Sequence, residues 1–127
     1  MIKRELIIHC SDSPYDHHGV DAITQWHKER GFTTIGYNWV IERSGELKQG
    51  RKYYPGAHTL GHNNETGLCL CGLSGEFKQE QMKTLEQFII SNAFQITSIK
   101  QHSDYEPKKP FCAGLTESQI KYLNSLL

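Results

Sequence analysis

The sequence predicts a single mixed α/β domain with the element order β-α-β-β-β-α-β-α. Three observations carry that prediction. The chain has 127 residues, which fits one domain and is enough to bury a real core. Short aliphatic or β-branched runs, at Leu6-Ile7-Ile8, Leu68-Cys69-Leu70 and Ile96 to Lys100, have the length of strands. Between and after them lie stretches whose apolar residues recur at helical spacing, with no internal repeat, low-complexity segment or linker to divide the chain.

Taken in order, Glu5 to Cys10 reads as a buried strand closed by the turn residues Ser11-Asp12-Ser13-Pro14. His9 falls at its C-terminal end, where strands of α/β sheets present functional groups. After a polar loop through His17-His18-Gly19, Val20, Ile23, Trp26 and His27 mark a helix as far as Arg30, and Gly31 stops it. Gly36 to Leu47 reads as a hairpin, with Tyr37, Trp39 and Ile41 on one face of its first strand and Ser44-Gly45 as its turn. Tyr53 to Asn64 is a long irregular segment rich in glycine, histidine and asparagine, unusual in a compact domain unless it binds something. Thr66 to Gly72 returns as a buried strand. Ser74-Gly75 turns the chain into a second helix faced by Met82, Leu85, Phe88 and Ile89. Ile96 to Lys100 is the last strand, with His102 just beyond it. Thr116 and Gln119 form a capping box for a closing helix that carries Ile120, Leu123 and Leu127.

Fourteen basic residues balance fourteen acidic ones, so no electrostatic footprint for nucleic acid or an anionic membrane is present. No apolar run is long enough to span a membrane, and the N-terminus lacks a signal-peptide pattern. The expectation is a soluble protein made in the cytoplasm, with no nucleic-acid partner and no membrane insertion. Four cysteines in such a chain argue against a disulfide framework. Cys69 and Cys71 share a strand face and read as small buried residues, and Cys10 reads the same way. Cys112 stands apart, in a loop between prolines and a glycine where core packing has little use for a thiol.

Of seven histidines, His17, His18 and His62 read as solvated loop residues and His27 as a helix packing residue. His9 and His102 each follow an apolar strand, and either alone reads as a hydrogen-bonded strand-end residue. Together with Cys112, on the stiff stretch from Lys100 to Gly114, they form a ligand set of two imidazoles and a thiolate that suits zinc. No fourth ligand stands at finger-like spacing from Cys112, which leaves one position for water, the layout of a catalytic site. Two neutral imidazoles and one thiolate leave a net single positive charge, enough to acidify a bound water to a pKa of about 7. The residues themselves point to a zinc hydrolase.

Beyond these residues lies an ordered series: Leu6-Ile-Ile-His9-Cys-Ser, Trp26-His-Lys-Glu-Arg-Gly31, Gly36-Tyr-Asn-Trp-Val-Ile, Gly56-Ala-His-Thr-Leu-Gly-His-Asn, Thr66-Gly-Leu-Cys-Leu-Cys-Gly72 and His102…Cys112. The series resembles the zinc-dependent N-acetylmuramoyl-L-alanine amidases of the phage-lysozyme and peptidoglycan-recognition-protein family, over nearly the whole chain. The resemblance implies hydrolysis of the amide joining the lactyl group of N-acetylmuramic acid to L-alanine of the stem peptide. It also implies a central mixed sheet flanked by helices, with zinc in a surface groove. His9, His102 and Cys112 match the family's metal ligands, Tyr37 its catalytic tyrosine beside the zinc, and His58 and Asn64 its groove-lining positions.

The family's catalytic lysine sits two places before the ligand cysteine, where this chain has Pro110. Lys109 is the nearer substitute and Lys108 the runner-up, in a loop about two residues longer than the family's short form. A cation there would stabilise the oxyanion of a tetrahedral intermediate. Phe111, Trp39, Tyr53 and Tyr54 are the aromatics available to pack on sugar or peptide, although aromatics near strands more often serve the core. The expected partner is bacterial peptidoglycan and the expected state a monomer. The absence of a signal suits a phage endolysin that reaches the wall after release. A cytoplasmic wall-recycling amidase, a delivered effector, or a non-catalytic binding or regulatory module are the alternatives, and Cys112 favours the enzyme because family members that only bind typically lack that cysteine.

Overall fold

A computed structural model describes residues 2–127. Its elements are β1 (Arg4–Cys10), α1 (Val20–Glu29), β2 (Trp39–Ile41), β3 (Leu47–Gln49), β4 (Thr66–Leu70), α2 (Gln79–Asn92), β5 (Ile96–Gln101) and α3 (Glu117–Ser125), with short 3-10 turns at Ala93–Gln95 and His102–Asp104. Strands β1, β4 and β5 lie where apolar runs predict them, while β3, Leu-Lys-Gln, carries no apolar run and begins where the predicted hairpin ends. The strands form one mixed sheet in the order β3-β2-β4-β1-β5, and only the hairpin strand β3 is antiparallel to its neighbour. Strand β1 lies inside the sheet between β4 and β5. Both of its faces are covered, so Leu6, Ile7 and Ile8 are all fully buried and the strand reads as a continuous aliphatic run rather than an alternation.

The two faces of the sheet carry separate cores. On one, Leu6, Ile8, Cys10, Ile41, Leu68, Leu70 and Ile99 pack with Leu85, Phe88 and Ile89 of α2 and Leu123 of α3. Burying each of those large helix side chains contributes roughly 1.5–3 kcal/mol. On the other, Val40, Cys69 and Cys71 pack with Ile23 of α1 and Ile35. The start of α3 is the predicted capping box: Thr116 Oγ1 accepts from the Gln119 backbone N–H at 3.1 Å, and Gln119 Oε1 accepts from the Thr116 N–H at 2.8 Å.

Several local expectations are corrected. Strand β2 is only three residues long, and Tyr37 lies outside it. Tyr37 packs with the Val40 core, on the opposite side from Trp39 and Ile41. The alternation breaks at Asn38, whose side chain acts as a backbone substitute: Oδ1 accepts from the Gly67 N–H at 2.9 Å and Nδ2 donates to the Arg51 carbonyl at 3.2 Å. The predicted strand to Gly72 ends at Leu70, and Leu127 lies beyond α3 and is exposed. Gln81 is fully buried. Its Nε2 donates to the carbonyls of Cys71 and Ile41, and its Oε1 accepts from Arg43 and the Lys78 N–H, so one amide ties α2 to the ends of β2 and β4. All four cysteines are free thiols, as expected.

Candidate active site

The parallel strands all aim their C-terminal ends at one edge of the sheet, and the candidate site sits there. His9 ends β1 with 1 % of its surface exposed, on the face that pairs it with Cys69 of β4. His102 opens the 3-10 turn that follows β5, the neighbour of β1, so its ring comes within 4.5 Å of the His9 ring, centroid to centroid. Cys112 returns at the end of the loop. One ligand atom from each of His9, His102 and Cys112 lies within 4.8 Å of the others. A tetrahedral zinc with bonds of roughly 2.0–2.1 Å to nitrogen and 2.3 Å to sulfur fits inside such a triangle.

The loop that carries two of the three is stapled. The Gln101 amide both donates to the Leu115 carbonyl (2.9 Å) and accepts from the Leu115 N–H (3.0 Å), mimicking a strand partner. The Ser103 N–H donates to the Cys112 carbonyl at 2.6 Å, the Gly75 N–H to Ala113, and the Ser74 hydroxyl to Phe111. Gly114 is required at this junction: its φ is +90°, and a Cβ would lie 2.4 Å from the Gly75 nitrogen.

Protonation states favour metal binding. The Cys112 thiol is pulled far below the ordinary thiol range, first by the Cys10 thiol that donates to it, then by the His102 and His9 imidazoles beside it. Cys10 is correspondingly pushed up. Its sulfur lies 3.6 Å from Cys112 Sγ, and its backbone N–H reaches the same sulfur at 3.3 Å. Burial lowers the pKa of His9, keeping its imidazole neutral. A thiolate beside a neutral imidazole is the form zinc takes.

Above these groups runs a groove of about 940 Å³, lined among others by Tyr37, His58, His102, Lys108, Lys109 and Cys112. A smaller hollow of about 250 Å³ lies at the opposite, N-terminal ends of the strands, between Arg4, Trp39, Thr66 and Ile96, and holds none of these ligands.

No family model matches the chain. Individual relatives do. It is 32 % identical over 115 residues to the endolysin of Enterobacteria phage T3, covering 81 % of this chain and 76 % of that protein, and 31 % identical over equal shares to the endolysin of Escherichia phage T7. The chain belongs to the phage endolysin amidases. Among solved structures it matches the N-acetylmuramoyl-L-alanine amidase LysC from Clostridium intestinale URNW with a TM-score of 0.80 at 26 % identity, covering 96 % of this chain and 85 % of that one. Wild-type Drosophila PGRP-LB shares the fold, with a TM-score of 0.79 at 22 % identity over 98 % of this chain and 81 % of that one.

The remaining predicted residues of the amidase divide by position. Tyr37 lines the groove, its ring 4.9 Å from that of His9 and 5.3 Å from that of His27. Burial raises its phenol well above the usual value, so it stays protonated. His27 is the packing residue expected: its Nδ1 accepts from the Gly36 N–H at 2.8 Å, fixing the backbone beside Tyr37. Lys108 and Lys109 are both exposed on the groove wall, and neither ammonium has a carboxylate partner among the described residues. Asn64 is not in the groove. It is exposed and its carbonyl accepts from Arg4, while Asn63 lines the groove and caps the His58 and Thr59 N–H groups at 2.8 Å each. The turn separates the two adjacent asparagines, with Asn63 at the groove and Asn64 beside Arg4.

Other expectations also shift. His18 is held by Ser13 and packs on Trp26, and His62 stacks on Tyr105 at 3.9 Å, so neither is a free surface residue. Trp39 packs on Phe88, while Tyr53 and Tyr54 sit under Arg51 and Arg4; of the four aromatics only Phe111, 75 % exposed, lines the groove. The sequence singles out no proton acceptor, and the carboxylates lining the groove are Asp12 and Glu106. The supporting roles of Gln101 and Cys10 leave no local signal in the sequence, because their partners Leu115 and Cys112 lie 14 and 102 residues away.

Proposed function

We propose that this amidase cleaves the amide between the lactyl group of N-acetylmuramic acid and L-alanine in peptidoglycan, using zinc held by His9, His102 and Cys112. The observation that carries the reading is the convergence of those three donors within 4.8 Å, beside an open groove rather than under a fourth protein ligand. Zinc bound there supplies a Lewis acid for the scissile carbonyl and for the attacking water. The chain's own groups do the rest. The groove aligns a glycan strand and its stem peptide across the ligands. Tyr37 donates a hydrogen bond from its protonated phenol to the oxyanion that develops on the carbonyl. Lys109, or Lys108 beside it, adds a positive charge at the same oxygen. The substrate is the bacterial wall, which the enzyme meets as a monomer after release from the cytoplasm where it is made. Among the described residues no helix is long and apolar enough to cross a membrane.

The test is mass analysis of purified peptidoglycan digested by the metal-replete protein and by the protein with chelator. Free stem peptides with an L-alanine amino terminus, lost with chelator and regained with zinc, are expected. New reducing sugar ends, or cleavage that a chelator leaves intact, would overturn the assignment.

A further inference from the structure

His58, predicted to line the groove as a substrate contact, has both ring nitrogens committed inside the protein. Only 9 % of the residue is exposed. Its Nε2 lies 3.0 Å from the Glu65 carbonyl oxygen. A carbonyl only accepts, so Nε2 carries the hydrogen and the Nδ1 of the neutral ring holds a lone pair. That Nδ1 lies 3.1 Å from His9 Nε2 and 2.9 Å from Thr59 Oγ1, and Thr59 Oγ1 lies 3.3 Å from the same His9 nitrogen. Two lone pairs do not face each other at 3.1 Å, so His9 Nε2 is the donor.

We propose that His58 is a positioning residue: it holds His9 as the Nε2–H tautomer and leaves Nδ1 as the nitrogen offered to zinc. A ligand histidine whose second nitrogen is tied down in this way is fixed in both tautomer and ring orientation. The slot for the His58 ring is written into the sequence. A Cβ on Gly67 would lie 2.6 Å from ring carbons of His58, and one on Gly56 would lie 2.8 Å from its Cδ2. Asn63 Oδ1 then fixes the backbone of His58 and Thr59 by accepting from both N–H groups. The irregular segment from Tyr53 to Asn64 therefore does more than wall the groove; it delivers one imidazole beneath a second.

The inference rests on the zinc reading above, and its test separates the two. In the metal-free full chain, ¹⁵N imidazole spectra read the tautomer of His9 directly; Nε2–H is expected, and a proton on Nδ1 would overturn the proposal without any variant. In the zinc-loaded protein, chelator competition reads affinity. His58→Ala is expected to weaken zinc binding about 10–100-fold. His58→Asn also removes the ring but keeps an acceptor, Oδ1, near the place of Nδ1, and should recover most of the loss. Equal weakening in both variants would make His58 a packing residue only. Gly67→Ala, which displaces the ring with His58 itself intact, should reproduce the His58→Ala defect; unchanged affinity there would count against the slot. If the wild-type chain shows Nε2–H on His9 yet binds no zinc, the metal assignment fails while the tautomer assignment stands.

Discussion

Removing the Tyr37 hydroxyl separates catalysis from folding more cleanly than any other change at the site. The ring is held by His9 and His27, but the hydroxyl has no hydrogen-bond partner among the described residues. Tyr37→Phe therefore deletes no interaction within the folded protein, and stability should stay within about 0.5 kcal/mol. Turnover should not. Loss of one preformed oxyanion donor costs about 10²–10³ in kcat, or ~2.7–4 kcal/mol. The groove is open to water on one side, which favours the lower end, about a hundredfold. The assay is steady-state release of stem peptide from a soluble muropeptide, with melting temperature and zinc content measured on the same preparations. A kcat within threefold of wild type would refute the donor role. A large loss accompanied by lower zinc content or a lower melting temperature would show instead that the hydroxyl holds the site together.

Three further outcomes follow from the same geometry. Lys109→Ala should lower kcat by at least tenfold with KM little changed, and Lys108→Ala should not; the reverse order in steady-state kinetics would move the cation to Lys108. Cys10→Ala removes the thiol that faces Cys112 Sγ at 3.6 Å and should weaken zinc retention about tenfold in chelator competition, an idea sunk by unchanged affinity. The pKa of His27 is pushed down to about 4 by burial, so between about pH 6.5 and 4 the unfolded chain binds a proton that the folded one refuses. Stability of the metal-free protein should thus fall as pH drops through that window, and denaturant titrations of His27→Asn should show a shallower acid limb.

What was legible in the sequence follows from what a local pattern can encode. The apolar runs of β1 and β4, the helical stripes of α1 and α2 and the Thr116–Gln119 box are all properties of a few consecutive residues, and each reads correctly. The three candidate ligands were legible because each stands at the end of a strand or in a constrained loop, where a histidine or thiol has no packing purpose. Other features depend on partners many residues away and leave no local trace. Gln81 looks like solvent-facing polarity but replaces backbone partners for Ile41 and Cys71. Tyr37 falls on the unexpected face because Asn38 breaks the strand period. Asn63 and Asn64 are adjacent and chemically identical, so only the turn decides which one caps His58. Cys10 reads as core, and it is core; its second role appears only once Cys112 comes back across the end of β1.

The supports share a logic that bears on how the site works. Each candidate ligand is fixed by a neighbour that does not depend on the metal: His9 by His58, Cys112 by the Cys10 N–H, and the His102 loop by Gln101 gripping Leu115. Ordering a loop of this length at the moment of metal binding would subtract its conformational entropy from the affinity, at about 1–2 kcal/mol per residue fixed. Here the folded sheet and the staples at Ser103, Ser74 and Gly75 carry that cost beforehand. The ligands can then sit at an exposed edge and leave one side open to substrate, because the fold holds their geometry and the metal need not. An enzyme that would present a metal at the groove to a cell-wall polymer gains from that separation: the core on either face of the sheet keeps the domain folded, and the strand ends are free to be shaped for chemistry.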